Sequence, residues 1–422
     1  MSSEQRSGIM ESLLAKRNYR NDVDSLDGIF DQSVKELELN GGFSLLPLQQ
    51  IISSVSAHSH SKTISHDMEC AVARAFSSAR SAFHLVRETL SEKSHKNYSK
   101  STCGVPLIDP DTDSGSWTGY HNASEINGRY NQFREGFVFS NGQLFDVNLE
   151  GHNEVREGNE LECITEKSHP GINFEEDMEE LFHLMHNVVA DGVLKAIERR
   201  LSLPPLYFHD QLGPTKSSSQ WHMKRYIIDT GRGNVEQNAQ CEPKNDNPES
   251  QSGNGVDIFL PVHTDPSLIS VVILDRPGVN SNAMGLEVFS SNKSEKIQEN
   301  VFDNCTWQEL PNHGHGVAII FVGSVLSYLT KGQIFPAVKH RVVDWRIKTK
   351  DDDGCCICGS REERMAVTLF VRPHGNALMK TLPSPYLNTD KKMSNNPPTF
   401  SAWNSRVATN YMKKKQRQKD SM

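Results

Sequence analysis

A series of short β-rich runs in the second half of the chain constrains the fold more than any other feature. Each run is rich in Val, Ile, Leu and Phe, and turn-forming residues separate one run from the next. Many short strands in succession are typical of a sandwich or a jelly roll. The runs cover residues 223–228, 258–262, 268–274, 286–289, 317–322, 325–329, 337–345 and 365–371.

The first half of the chain is predicted to add helices to this β core. Apolar residues recur every three or four positions over 66–92 and 174–201, which indicates two amphipathic helices. Two shorter runs, at 43–48 and 134–139, are predicted to be strands. The sequence therefore predicts an α+β fold with a mainly β core, and residues 1–204 form an N-terminal region that packs on that core.

One motif in the β-rich half has the chemistry of a metal site. His263 and Asp265 stand two residues apart, and residues at i and i+2 of a strand point to the same side. An imidazole and a carboxylate can therefore converge on one point, and His340 from a later strand would complete the set. Two histidines and one carboxylate that leave coordination positions open are typical of non-haem Fe(II) oxygenases.

Further motifs follow this one in a fixed order. They are HTDPSLIS at 263–270, GLEV at 285–288, LTKG at 329–332, AVKHRV at 337–342 and RMAVTLF at 364–370. The ordered series resembles the isopenicillin N synthase-like branch of the Fe(II)/2-oxoglutarate-dependent dioxygenases. The resemblance implies a distorted double-stranded β-helix, or jelly roll, over 205–385, with the N-terminal helices packed against it.

The resemblance also implies roles for individual residues. His263, Asp265 and His340 would hold Fe(II). Arg364 would bind the distal carboxylate of 2-oxoglutarate, and Tyr226 would contact the same co-substrate. The implied reaction hydroxylates or desaturates a small organic molecule with O2 and releases succinate and CO2. Ascorbate is an additional candidate cofactor.

Two departures from the family pattern leave alternatives open. Ala366 stands where the family has a serine, so one hydroxyl donor to the co-substrate is absent, and Lys331 replaces an asparagine. One alternative is an Fe(II) oxidase of the same fold that does not use 2-oxoglutarate. The other is a non-catalytic binding protein that retains a relic metal site.

Other clusters could also bind metal. His183 and His186 lie three apart on a predicted helix, but surface or core histidines explain them better because no third ligand of matching geometry is nearby. Cys355, Cys356 and Cys358 could bind a soft metal, or they could be free thiols in a solvated insertion.

The remaining segments bear on partners and location. The net charge of −8 gives no general attraction to nucleic acid, and no apolar run is long enough to span a membrane. Polar insertions are predicted at 231–256 and 347–363, and a polar, basic tail at 386–422. We expect a cytoplasmic monomer, and the alternative interpretation of the basic tail is a nuclear localisation signal.

Overall fold

The computed structural model describes twelve segments of the chain. They are residues 26–51, 64–92, 119–122, 134–140, 174–213, 219–227, 258–275, 285–291, 305–311, 313–343, 363–388 and 396–420. The predicted insertion at 231–256 lies outside them, and so does the insertion at 347–363 apart from its last residue, Glu363, which begins a strand.

The described segments contain eleven strands. They are β1 (Phe43–Pro47), β2 (Gly119–Asn122), β3 (Arg134–Ser140), β4 (Gln220–Ile227), β5 (Ile258–His263), β6 (Ile269–Leu274), β7 (Leu286–Ser291), β8 (Cys305–Glu309), β9 (Val317–Val322), β10 (His340–Val343) and β11 (Glu363–Val371).

Helices of three kinds accompany these strands. The α-helices are α1 (Leu26–Leu39), α2 (Ile64–Glu92), α3 (Phe174–His183), α4 (Asp191–Arg200), α5 (Tyr207–Leu212), α6 (Ser324–Leu329) and α7 (Phe400–Asp420). A π-helical stretch, Leu184–Ala190, joins α3 to α4, and a single 3-10 turn, Gly314–Gly316, precedes β9. No described helix is both long enough and apolar enough to cross a membrane.

The strands form two antiparallel sheets. The larger sheet has seven strands in the order β1-β9-β6-β11-β4-β3-β2, and the smaller has four in the order β5-β10-β7-β8. Strands far apart in the sequence are therefore neighbours in space. The pairing of β10 with β5 brings His340 opposite His263.

Alternate residues of the larger sheet belong to two separate hydrophobic cores. In β6, Val271 and Ile273 pack in a cluster with the helices, whereas Val272 and Leu274 pack with apolar residues of the smaller sheet. Successive side chains of a strand point to opposite faces, so one face of this sheet is covered by helices and the other by the second sheet. We call the cluster shared by the two sheets the inter-sheet core.

A chain of ion pairs fixes helix α2 to one end of four central strands of the larger sheet. Arg80 contacts both Asp275 and Glu363, and Arg225 contacts both Glu363 and Glu135. Glu135 is only 1% exposed, so its charge depends on Arg225 for compensation. Burial would raise the pKa of Glu363, but Arg225 and Arg80 outweigh burial and lower it below its usual value.

Most predicted elements are present with shifted ends. The helix expected at 66–92 is Ile64–Glu92, and the helix expected at 174–201 is α3, the π-helical stretch and α4 in direct succession. No strand was predicted at Gly119–Asn122, which pairs with β3.

One predicted strand is wrong. The run at 325–329 is part of helix α6, because a short apolar run does not distinguish a buried strand from a buried helix. The first two backbone N–H groups of α6, from Ser324 and Val325, bond the carbonyls of Asp265 and Ser267. These two hydrogen bonds to a turn that is distant in the sequence favour the helix, and no local sequence pattern predicts them.

Most of the predicted polar tail is helical. Helix α7 spans Phe400–Asp420. Its first turn is anchored because Phe400 and Trp403 are buried in the hydrophobic core between the larger sheet and the helices. These two aromatic residues stand three apart, so they share one face of the helix. The expected division into three regions, at 204 and 385, stays a prediction.

Candidate metal centre

The three predicted metal ligands converge at the edge of the inter-sheet core. His263 is the last residue of β5 and His340 is the first residue of β10, and their ring centroids lie 4.2 Å apart. Asp265 lies just beyond β5, and its Oδ1 is 3.6 Å from Nε2 of each histidine. Among the described residues, these three form the only cluster of His, Cys, Asp or Glu side chains with metal-ligand geometry.

Backbone carbonyls set the orientation of both imidazoles. Nδ1 of His263 lies 2.8 Å from the carbonyl oxygen of Pro261, and Nδ1 of His340 lies 3.3 Å from that of Val338. A carbonyl can only accept a hydrogen bond, so Nδ1 of each ring carries the proton. In the neutral ring Nε2, which faces Asp265, then has the lone pair, and this is the tautomer that metal ligation requires.

Neighbouring elements hold the ligands in place. The ring of Phe321, on β9, stacks on the ring of His340 with centroids 4.7 Å apart. The backbone carbonyl of Asp265 accepts hydrogen bonds from the N–H and the hydroxyl of Ser324, at 2.7 and 3.0 Å. Gly323 lies so close to Ser267 that a Cβ there would stand 2.0 Å from the Ser267 carbonyl oxygen. The start of α6 therefore fixes the turn that carries Asp265.

The electrostatics of the cluster favour a neutral His263 beside a charged carboxylate. Burial, together with the charge of His340, lowers the pKa of His263 to about 3, while Asp265 partly offsets both effects. Burial would raise the pKa of Asp265, but the two histidines outweigh it, so the pKa lies below its usual value. Two neutral imidazoles and one carboxylate are a suitable donor set for a divalent first-row metal.

Arg364 and Tyr226, the predicted co-substrate residues, are also brought together. They are register partners on β11 and β4, and the Arg364 guanidinium carbon lies 5.1 Å from the centre of the Tyr226 ring. Nη1 of Arg364 is buried and has no hydrogen-bond partner among the described residues. Burial lowers the pKa of Arg364, and Tyr226 only partly offsets this effect. The guanidinium therefore retains a donor that an external carboxylate can use.

The rival metal candidates do not form a site in the part of the chain that the structure describes. His183 and His186 are held through their Nδ1 atoms by the side chain of Asn187, at 2.7 and 2.8 Å. The cysteines at 355, 356 and 358 lie outside the described residues.

Two basic residues near the metal ligands were missed by the sequence analysis. Lys224 lies two residues before Tyr226 on β4, and Arg372 lies directly after β11, an even number of residues from Arg364. The period-two pattern of a strand was the signal that could have found them, because it places both on the same face as the predicted co-substrate residues.

Comparison with solved structures identifies the fold. A full-length Neurospora crassa protein in complex with alpha-KG aligns over 91% of this chain and 90% of its own, with 14% identity and a TM-score of 0.50. A 2OG-Fe(II) oxygenase family protein from Caulobacter crescentus aligns over 90% and 95%, with 16% identity and a TM-score of 0.50. JOX2 in complex with 2OG, Fe and JA aligns over 91% and 82%, with 14% identity and a TM-score of 0.51.

These similarities concern the fold. The chain has the fold of the Fe(II)/2-oxoglutarate oxygenases, as the sequence resemblance predicted. The sequence itself matches no protein-family model and no curated protein.

Proposed function

We propose that this chain is an Fe(II)- and 2-oxoglutarate-dependent dioxygenase that hydroxylates or desaturates a small organic molecule. The observation that carries the proposal is the convergence of His263, Asp265 and His340 with both Nε2 atoms directed toward the carboxylate. The similar folds of a 2OG-Fe(II) oxygenase family protein, of a protein bound to alpha-KG and of JOX2 bound to 2OG and Fe support the same interpretation. We further propose that the two sheets form a distorted double-stranded β-helix around this cluster.

The donor set fits Fe(II). Two neutral imidazole nitrogens and one carboxylate oxygen supply three protein ligands on one side of the ion, which leaves the other positions for exogenous ligands. The hydrogen bonds from each Nδ1 to a backbone carbonyl fix the ring planes before the metal arrives. His263, Asp265 and His340 would therefore hold the iron with little reorganisation.

The neighbourhood of Arg364 fits 2-oxoglutarate. Its buried, unpartnered Nη1 is a donor that the described residues do not satisfy, and a carboxylate is the natural acceptor for a guanidinium. Tyr226 supports the arginine through its ring and supplies a hydroxyl at the same place. Ala366 lacks the hydroxyl of the family's serine, which costs about 0.5–1.5 kcal/mol of binding. That loss of binding free energy is smaller than the contribution expected from a bidentate pair between Arg364 and the carboxylate of 2-oxoglutarate.

The chain's own residues then position the reactants. When bound, iron and 2-oxoglutarate supply the oxidation of a C–H bond by O2, with release of succinate and CO2. The apolar residues of the inter-sheet core exclude water from that chemistry, and Phe321 keeps the plane of His340 fixed. Asp265 supplies the anionic ligand, and the N–H and hydroxyl of Ser324 hold its backbone carbonyl in place.

A succinate-release assay tests the proposal. The Fe(II)-loaded chain is incubated with 2-oxoglutarate and fractionated metabolite pools, and succinate is measured for the natural chain, for Asp265→Ala and for Asp210→Ala. We expect release that Asp265→Ala abolishes and that the exposed control Asp210→Ala leaves unchanged. Failure to bind one equivalent of Fe(II), with no effect of Asp265→Ala, would instead support a non-catalytic protein with a relic site.

Ala366 favours one second candidate, an oxidase of the same fold that does not use 2-oxoglutarate. Anaerobic titration separates the two, because Fe(II) with bound 2-oxoglutarate gives a visible charge-transfer band. We expect the band in the natural chain and its loss in Arg364→Met. Iron binding without any band would favour the oxidase.

A further inference from the structure

Two cationic side chains flank one aromatic ring close to the metal ligands. The ammonium nitrogen of Lys224 lies 5.2 Å from the centre of the Phe370 ring, and the guanidinium carbon of Arg372 lies 5.6 Å from the same centre. Lys224 is only 8% exposed. Phe370 pairs with Ser270 of β6, and the carbonyl of Val371 accepts a hydrogen bond from the N–H of Leu268, three residues after Asp265. The pair therefore borders the turn that carries Asp265, and the charges of Lys224 and Arg372 act on that carboxylate.

Arg372 carries a donor that the described residues leave unsatisfied. Its Nε is buried without a hydrogen-bond partner, and burial lowers its pKa to about 10 although Asp265 partly offsets the effect. Asp265 does not fill this role, because neither of its carboxylate oxygens is hydrogen-bonded to that Nε. A buried guanidinium donor without an acceptor is unfavourable, and an anion from outside the chain would satisfy it.

The co-substrate of the proposed reaction cannot serve both arginines. Arg364 stands near the start of β11 and Arg372 directly after its end, and 372 − 364 = 8 residues of strand span about 26 Å. Each guanidinium lies over an aromatic ring at its own end, Tyr226 for Arg364 and Phe370 for Arg372. The span is measured between Cα atoms, but 2-oxoglutarate, with five carbons, is shorter than the gap between the guanidiniums even if both side chains turn toward each other. When it is bound at Arg364, it therefore leaves Arg372 available to a second anion.

We propose that the oxidised substrate is a small-molecule carboxylic acid whose carboxylate is bound by Arg372 and Lys224 beside Phe370. The inference rests on the proposed function, because it treats the His263–Asp265–His340 cluster as the reaction centre and Arg364 as the co-substrate residue. The planar guanidinium of Arg372 suits a carboxylate, and Lys224 adds a point charge. Phe370 gives the organic part of the acid an apolar surface next to the metal.

Proton relaxation by Mn(II) tests the inference without turnover. Mn(II) replaces Fe(II) in the full chain with 2-oxoglutarate present, and its paramagnetism accelerates the relaxation of protons on any molecule bound nearby. The probes are phenylacetate and hexanoate, each paired with its neutral amide, together with phenyl phosphate. We expect saturable enhancement for the two carboxylates and much weaker effects for the amides and for phenyl phosphate.

Variants assign the effect to the proposed residues. Arg372→Gln should weaken carboxylate binding by about 10-fold or more, because it removes a charge-assisted contact. Arg372→Lys should recover part of the affinity by restoring the charge. Arg406→Gln removes an exposed arginine from α7 and should leave probe binding unchanged. Enhanced relaxation of the 2-oxoglutarate protons in Arg372→Gln shows that this variant is folded.

The binding results distinguish failure of this inference from failure of the proposed function. If the amides or phenyl phosphate bind as well as the carboxylates, if no carboxylate binds, or if Arg372→Gln binds like the natural chain, the inference is overturned. In these cases 2-oxoglutarate still relaxes and the proposed function stands. If 2-oxoglutarate itself shows no Mn(II)-dependent relaxation, the proposed function and this inference fail together.

Discussion

Replacing Arg364 by Met distinguishes a role of this arginine in ligand binding from a role in stabilising the fold. In the free chain, Nη1 of Arg364 is buried and unpartnered among the described residues, and an unsatisfied buried donor costs about 1–3 kcal/mol. Met removes this cost, but it also removes the cation–π contact with Tyr226, which contributes about 0.5–2 kcal/mol. The two effects oppose each other, so the free energy of unfolding of the ligand-free chain should change by no more than about 2.5 kcal/mol.

Binding of 2-oxoglutarate should respond much more strongly. Each hydrogen bond from the guanidinium to a carboxylate contributes about 1.5–3 kcal/mol, so losing a bidentate pair weakens binding by roughly 10²- to 10⁴-fold. At a concentration of about 100 times its Kd, the ligand stabilises the natural chain by about 2.7 kcal/mol. Arg364→Met should lose nearly all of that stabilisation at the same concentration.

Urea unfolding of the Mn(II)-loaded protein, with and without 2-oxoglutarate, measures the free energy of unfolding of the chain and the stabilisation that the ligand adds. The control is Arg225→Met, which changes a buried arginine that already has two carboxylate partners, Glu135 and Glu363. Leaving those carboxylates uncompensated should cost about 3–5 kcal/mol, while the stabilisation by 2-oxoglutarate is retained. The reasoning is refuted if Arg364→Met destabilises the free chain as much as Arg225→Met, or if it keeps the full ligand effect.

Three further changes test the surroundings of the site. Gly323→Ala places a Cβ against the Ser267 carbonyl, so it should destabilise the fold by about 1–3 kcal/mol and weaken Mn(II) binding. Gly316→Ala is the control, because a Cβ there meets open space and should change neither stability nor metal binding. Thermal unfolding measures the stability, and titration with Mn(II) measures the metal affinity. The pKa of Glu363 is lowered below the ordinary value of 4.5, so its charge stabilises the fold above that pH and the contribution is lost as the pH falls through the lowered pKa. The difference in melting temperature between the natural chain and Glu363→Gln should therefore be largest above pH 4.5 and shrink below it; a constant difference would contradict the ion-pair account. Lys331 adopts a positive φ of 53° after α6, a conformation that asparagine tolerates better, so Lys331→Asn should raise the stability by up to about 1 kcal/mol in the same melting experiment.

The strands and the cluster of candidate metal ligands could be predicted because their signals are local or stand in a fixed order. Nearly continuous apolar runs locate β6 and β9 from the sequence, since both faces of these strands are buried. His263 and Asp265 share a side because the geometry of an extended chain puts i and i+2 together. His340 was assigned only through the order of motifs, since nothing in the local sequence specifies that β10 pairs with β5.

Local patterns in the sequence therefore specify which groups are available for chemistry: two imidazoles, a carboxylate, and an arginine on a strand. How those groups meet depends on the tertiary structure. It made the run at 325–329 a helix, because the N–H groups at its start bond the turn that carries Asp265. It also brought Lys224 and Arg372 to one ring at the edge of the metal centre. Contacts of this kind join strands that are distant in the chain, and their energies depend on burial and on the pairing of sheets, which no local pattern encodes.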